Sequence, residues 1–179
     1  MFPKVYENLD IDLNQLGCVM LDIDPKSILP FPEEYTEKLY YAQDVAFFWL
    51  DGFVGKRPHL TLLYGLIKPA TRLQEEIGIV LKDWKLPNVR VSDIGYFDSP
   101  TKDHEPYYTI VAHIEPSEEL MEGHQRLSLL PHINTFAGYK PHITIAYVER
   151  NAYVRDQIID HYREMVGMTL KTTNINLGS

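Results

Sequence analysis

The spacing of apolar and polar residues divides the chain into two successive sets of five segments. In the first set, short apolar or alternating runs near 17–24, 59–64 and 89–97 predict β-strands. Two helices are predicted between them, near 32–47 and at about 72–84, where apolar residues recur at helical spacing. The order of elements in this half is therefore strand, helix, strand, helix, strand.

The second half of the chain repeats that order. One helix follows Ser117 and ends before Pro131, and another begins at Asn151, because Ser and Asn are favoured N-caps. Strands are predicted near 107–115, 142–148 and 169–177. The matching sets, about 17–97 and 107–177, indicate an internal duplication. We therefore predict one α+β domain over residues 1–179, with two β-α-β-α-β lobes related by a pseudo-twofold axis.

Two windows, 58–65 and 141–148, nearly repeat each other. Both read Pro-His-x-Thr-x-x-Tyr, and a basic residue precedes each Pro. Residues i and i+2 of a strand point to the same face, so His59 shares a face with Thr61. His142 shares a face with Thr144 for the same reason. A pseudo-twofold axis between the halves would bring both polar faces to one groove.

Tyrosines also recur in the two windows, at Tyr64 and Tyr147. They have the opposite strand parity to the motif histidines. Strict alternation therefore predicts that both are mainly core or strand-end residues.

Two imidazoles that flank one point, each beside a hydroxyl, suit phosphodiester chemistry without a metal. One histidine would take a proton from the attacking hydroxyl or water, and the other would give a proton to the leaving oxygen. Each such group is typically worth ~10²–10⁴-fold in rate. The threonine hydroxyls would bind the non-bridging phosphate oxygens. Pseudo-symmetry leaves open which histidine is the base.

Composition narrows the class of partner. The 179 residues carry a formal net charge of −8, which argues against a protein that coats long nucleic acid. No apolar run approaches the ~18–20 residues of a membrane span. The single cysteine, Cys18, lies in an apolar strand and is predicted to be inert. We expect a cytoplasmic monomer, in a bacterial or host cell, that acts on a small nucleotide and not at a membrane.

Several residues near the motifs are candidates for substrate binding. Lys56, Arg57 and Lys140 precede the motif strands and would contact phosphate or stay solvated. Tyr139 would stack on a base or pack. The aromatic segment before the first motif is mostly core, but its Trp49 is a candidate stacking platform.

For two histidines outside the motifs, the sequence predicts where the side chain lies. His113 alternates with Thr109 and Val111 on a strand face that either borders the groove or packs against the core. His124 lies on the apolar stripe of a helix and is predicted to be a partly buried histidine. None has the spacing of a zinc site, so we expect no metal and no cofactor.

The two windows resemble the 2H phosphoesterase superfamily, which is named for two His-x-Thr/Ser motifs. The likeness is concentrated in residues 57–65 and 139–148, and the order of elements agrees over the whole chain. It implies a bilobal fold around a central groove, which we expect to consist of mainly antiparallel sheets with the helices outside. It also implies metal-independent chemistry. By motif match, the catalytic set is His59, Thr61, His142 and Thr144.

We therefore expect a phosphoric diester hydrolase that acts on a small nucleotide. Its substrate would be a 2′,3′-cyclic phosphate, a short 2′,5′- or 3′,5′-linked oligonucleotide, or a cyclic nucleotide messenger. A viral enzyme that removes a defence signal is one role within this class. The alternatives are a module that binds a nucleotide without turnover and a structural protein.

Overall fold

A seven-stranded antiparallel sheet dominates the computed structural model. The structure describes residues 15–39, 49–50, 53–54, 58–99, 107–134 and 138–178. The strands of this sheet are β1 (Gly17–Ile23), β4 (His59–Leu66), β5 (Val89–Asp98), β6 (Tyr107–Ile114), β7 (His142–Glu149), β8 (Thr169–Leu170) and β9 (Thr172–Gly178). A small hairpin is formed by β2 (Trp49–Leu50) and β3 (Phe53–Val54). The α-helices are α1 (Gln74–Val80), α2 (Glu118–Leu127) and α3 (Ala152–Tyr162).

Helix boundaries in the second half agree with the sequence. The Ser117 hydroxyl accepts a hydrogen bond from the backbone N–H of Leu120, and so caps α2. The Asn151 side chain caps α3 by accepting from Tyr153 and Val154. Both helices pack on one face of the sheet, where their buried residues join its apolar core.

The helix predicted near 32–47 is wrong over its described part. A 3₁₀ helix occupies Glu33–Lys38, and Leu39 then adopts an extended conformation. Leu39 forms an isolated antiparallel bridge with Val148, so it joins the sheet instead of continuing a helix. Residues 40–48 lie outside the described part of the chain.

The strand order is β8-β5-β6-β7-β4-β1-β9. The motif strands β4 and β7 are thus neighbours at the centre. The two halves of the sheet do not correspond to the two halves of the sequence. Strand β5 of the first sequence half pairs with β6 of the second, and β9 of the second half pairs with β1 of the first. Each half of the sheet therefore takes its outer long strand from the other half of the sequence.

The segment predicted as one strand over 169–177 divides at Lys171. Its first part, β8, pairs with β5, and its second part, β9, pairs with β1 at the opposite edge. Since consecutive Cα atoms are about 3.8 Å apart, the two edges must converge where the chain crosses. The Asp24 N–H, which follows β1, donates to the Lys171 carbonyl at 2.8 Å and fixes this convergence.

Both motif strands contain a bulge just after the threonine. Leu62 has no partner on β1, and Ile145 has no partner on β6. Each bulge places two consecutive residues in the core: Leu62 with Leu63, and Ile145 with Ala146. The alternation of the strands therefore shifts by one residue beyond this point.

The shift reverses the predicted direction of the two tyrosines. Tyr64 pairs with Cys18 and is 42% exposed, and Tyr147 pairs with Thr109 and is partly exposed. Their assignment to the opposite face from the motif histidines is wrong, because strict alternation ignores the bulges. Both lie on the polar face.

The described residues contain no helix that is both long and apolar enough to cross a membrane.

Candidate active site

The two motif strands meet at one residue pair. Leu60 of β4 pairs with Ile143 of β7, and both side chains are fully buried in the core. The flanking histidines and threonines point to the other face and are all partly buried. Continuing this antiparallel register by one residue places His59 opposite Thr144. An ideal continuation the other way would place Thr61 opposite His142, but Leu60 with Ile143 is the pair that the described parts of the two strands form.

The registers of the outer strands extend these two rows across the sheet. In the first row, His59 pairs with Asp22 of β1, and Asp22 pairs with Asn174 of β9. In the second row, His142 pairs with His113 of β6, which in turn pairs with Asp93 of β5. The two motifs thus share a backbone arrangement but have different polar neighbours.

Side chains replace the backbone pairing where β4 and β7 separate. The Tyr139 hydroxyl donates to the Thr61 carbonyl at 2.9 Å. His124 Nδ1 lies 2.7 Å from the Leu62 carbonyl and donates to it, since a carbonyl oxygen only accepts. The rings of His124 and Tyr139 stack with centroids 3.9 Å apart. These contacts satisfy carbonyls that β7 does not reach.

Tyr139 therefore connects the two motifs. It lies three residues before His142, and its hydroxyl is bound to the strand that carries Thr61. Burial raises the pKa of this hydroxyl well above its ordinary value. One face of the Tyr139 ring is covered by His124, and its role in binding a base stays a prediction.

The orientation of His142 is fixed by the backbone. Its Nδ1 lies 2.9 Å from the Lys140 carbonyl, so this nitrogen carries the proton and donates. In the neutral ring, Nε2 is then an unprotonated acceptor. The Phe97 ring packs edge-on against His142 with centroids 5.2 Å apart and also contacts His113. His142 thus presents a defined acceptor beside an exposed aromatic side chain.

His113 is a third histidine at the candidate site. Burial lowers the pKa of its imidazole, and the charge of His142 lowers it further. The Asp93 carboxylate raises this pKa, while the Lys140 ammonium lowers it. A Cβ at Gly95 would lie 2.9 Å from Nε2 of His113, so only glycine leaves the ring its present space. The sequence signal for this position was that His113 alternates with Thr109 and Val111 along the strand.

Cys18 also reaches the polar face. Burial raises the pKa of its thiol, and a side-chain hydrogen bond with Thr61 opposes that shift. The sequence placed Cys18 in an apolar strand but gave no sign of its contact with the motif threonine.

The other predicted binding residues are only partly within the described structure. Lys140 is exposed and stands two residues before His142. Lys56 and Arg57 lie outside the described residues, and of Trp49 only its backbone place in β2 is described. Within the described ranges, no group of three or more His, Cys, Asp or Glu is arranged to hold a metal ion.

A comparison with known protein families identifies the superfamily of the chain. The family model of the 2′-5′ RNA ligase superfamily matches residues 40–177, a range that contains both His-x-Thr windows. The chain belongs to this superfamily of 2H phosphoesterases.

Similarity to individual proteins is low. The structure of Kluyveromyces marxianus Usb1 is similar to this chain with a TM-score of 0.48 and 10% sequence identity. The alignment covers 91% of this chain and 97% of the Usb1 chain. No curated protein sequence matches the chain significantly.

Proposed function

We propose that this protein is a metal-independent phosphodiesterase that hydrolyses a small nucleotide. The observation that carries this proposal is the pairing of Leu60 with Ile143 at the centre of the sheet, which sets the two His-x-Thr motifs side by side on neighbouring strands. A phosphate bound between the two strands would contact a hydroxyl and an imidazole from each side. Membership of the 2H phosphoesterases supports the same chemistry.

The mechanism uses the histidines as an acid–base pair. One histidine removes a proton from water as its oxygen attacks phosphorus, and the other protonates the oxygen that leaves. The Thr61 and Thr144 hydroxyls donate to the non-bridging oxygens, on which negative charge grows in the transition state. Because both threonines are anchored on paired strands, they hold the phosphate without a large reorganisation.

A small nucleotide fits the surroundings of the site better than long RNA. The net charge of −8 opposes the approach of a long polyanion. The exposed rings of Tyr64 and Phe97 can stack on bases, a contact worth ~1–3 kcal/mol per base. We assign phosphate contact to Lys140, which is exposed two residues before His142, and also to Lys56 and Arg57.

The substrate class comprises 2′,3′-cyclic phosphates, short 2′,5′- or 3′,5′-linked oligonucleotides and cyclic nucleotide messengers. Within this class we propose that the enzyme works as a monomer in the cytosol. Removal of a defence signal by a viral protein is one physiological role compatible with such a substrate.

A substrate panel tests this proposal. The purified protein is incubated in EDTA with members of each substrate class, and products are separated by chromatography. The double variant His59→Ala/His142→Ala is run alongside, with His161→Ala as the matched control, since His161 lies on α3 at the other face of the sheet. We expect turnover of one class by the wild type and by His161→Ala only. Retention of one nucleotide by all three proteins without turnover would instead identify a binding module.

A further inference from the structure

Asp22 is a buried carboxylate in the interior of the sheet. Its residue is only 3% exposed, although the neighbouring Leu21 and Ile23 point to the apolar core. One carboxylate oxygen accepts from Asn174 Nδ2 at 2.9 Å, and the other accepts from Asn176 Nδ2 at 3.1 Å. Two neutral amides of β9 thus fix the position of the carboxylate while leaving its charge in place.

The fixed carboxylate lies beside the first motif histidine. Asp22 and His59 are direct partners in the antiparallel pair of β1 with β4. Side chains of such a pair share a face, with Cβ atoms about 4.5–5.5 Å apart. The equivalent neighbour of His142 is His113, so one motif histidine has a carboxylate beside it and the other has an imidazole.

We propose that Asp22 is a positioning residue that orients His59 and favours its protonated form, which makes His59 the catalytic acid and His142 the base. The assignment of roles rests on the proposed phosphodiesterase function. The placement of Asp22 beside His59 does not depend on that function.

The groups that face each histidine agree with this assignment. Around His59, the described groups include Asp22 of β1, its partner in the strand pair. Around His142 they are His113 of β6, the Phe97 ring of β5 and the nearby Lys140. A neighbouring carboxylate stabilises an imidazolium, and the described strand partner of His142 is an imidazole and not a carboxylate.

Hydrogen bonding at His142 is compatible with the base role. Its Nδ1 proton is donated to the Lys140 carbonyl, which leaves the lone pair of Nε2 to accept a proton. In the resulting step, the water oxygen bonds to phosphorus and its proton passes to Nε2 of His142. The bond from phosphorus to the leaving oxygen breaks, and that oxygen keeps the electron pair and takes a proton from the His59 imidazolium. Exchange of protons with solvent then restores both histidines.

Titration of the imidazole signals by NMR tests the positioning role without any substrate. The His59 and His142 signals are assigned from the single variants His59→Gln and His142→Gln. In Asp22→Asn, the His59 midpoint should fall by about one pH unit or more, because the neighbouring negative charge is lost. Asp93→Asn is the matched control, since Asp93 is a carboxylate in the other half of the sheet and faces His113. A His59 midpoint that moves no more in Asp22→Asn than in Asp93→Asn overturns the proposal.

A second variant keeps the test decisive if Asp22→Asn does not fold. Asn174→Ala keeps the negative charge but removes one of the two amides that hold it. The released carboxylate should move, and the His59 midpoint should then shift by a smaller amount in the same direction. An unchanged midpoint in a folded Asn174→Ala protein contradicts the positioning role.

Kinetics with an activated leaving group test the assignment of roles. A nucleoside p-nitrophenyl phosphodiester releases p-nitrophenolate, which leaves without being protonated. His59→Ala should therefore lose about 10²–10⁴-fold in kcat on the preferred nucleotide but far less on this probe. His142→Ala should lose activity on both.

The outcomes separate the two proposals. If the probe rescues His142→Ala instead of His59→Ala, the assignment of roles is overturned while the enzyme remains a phosphodiesterase. If the wild type hydrolyses neither compound, the proposed function fails, and the titration alone decides whether Asp22 positions His59.

Discussion

Two buried tyrosines should respond in opposite ways to the same substitution. Tyr139 donates its hydroxyl to the Thr61 carbonyl, whereas the buried Tyr162 hydroxyl has no hydrogen-bond partner among the described residues. Tyr139→Phe leaves the Thr61 carbonyl without its donor, which costs about 1–2 kcal/mol in free energy of unfolding. Tyr162→Phe removes a buried polar atom that has no partner, so stability should stay unchanged or rise by up to about 1 kcal/mol.

The measurement is urea unfolding of both variants and the wild type, followed by circular dichroism. With equal slopes, the midpoint differences report stability directly. In a thermal scan, a protein of this size shifts by about 2–4 °C for each kcal/mol. Tyr153→Phe on the exposed surface of α3 is the control and should not change the midpoint. Equal losses in Tyr139→Phe and Tyr162→Phe would refute the reasoning, because the hydrogen bond would then make no difference.

The same pair predicts how stability depends on alkaline pH. Burial raises the pKa of both hydroxyls above the ordinary value of about 10. Each folded tyrosine therefore keeps its proton after the unfolded chain has lost it. Stability is full below about pH 10 and falls as pH rises from there through the folded-state pKa, by about 1.4 kcal/mol per pH unit for each tyrosine. Either variant should remove one such contribution to the slope.

Four further outcomes are expected, three of them near the site. Gly95→Ala should displace the His113 ring and lower kcat several-fold, which an activity assay checks. Gly78→Ala on α1, where nothing lies within 4 Å of the added Cβ, should raise the free energy of unfolding by up to about 1 kcal/mol, which an unfolding assay checks. Cys18 should react slowly with iodoacetamide at pH 7 and much faster above pH 9, because its raised pKa keeps the side chain a thiol at neutral pH. Mass spectrometry measures the rate of labelling. Rapid labelling at pH 7 would contradict the burial argument. Because that thiol contacts Thr61, the alkylated protein should also bind nucleotide more weakly in a calorimetric titration.

Local sequence patterns were sufficient for the caps of the helices in the second half and for the motif faces. Alternation over 59–61 and 142–144 depends only on backbone geometry, so it places the two histidines and two threonines on one face. Capping by Ser117 and Asn151 is also local, since each bond spans only two or three residues. These features could be predicted because neighbours along the chain determine them.

Pairing partners and bulges could not be predicted in this way. Which strand β5 or β9 joins depends on the packing of whole lobes, and the division at Lys171 depends on the convergence of two distant edges. The bulges left a visible trace, because Leu62-Leu63 and Ile145-Ala146 are consecutive apolar residues where alternation requires one polar position. Strict alternation of polar and apolar residues ignores these bulges and therefore assigns Tyr64 to the wrong face of the sheet.

Asp22 is a charged residue in an otherwise apolar strand, and its charge says more about the candidate site than the strand does. The apolar run around Asp22 predicts a strand, and β1 confirms it. A buried carboxylate is costly unless the fold supplies hydrogen-bond donors or a cation. Its amide donors come from Asn174 and Asn176, some 150 residues later in the chain. The two motif strands hold their histidines in similar backbone settings, each with a bulge just after the threonine, so the difference between the histidines comes from such neighbours. Asp22 beside His59 and His113 beside His142 supply that difference, and the proposed acid–base mechanism uses it, because one histidine would donate a proton while the other accepts one.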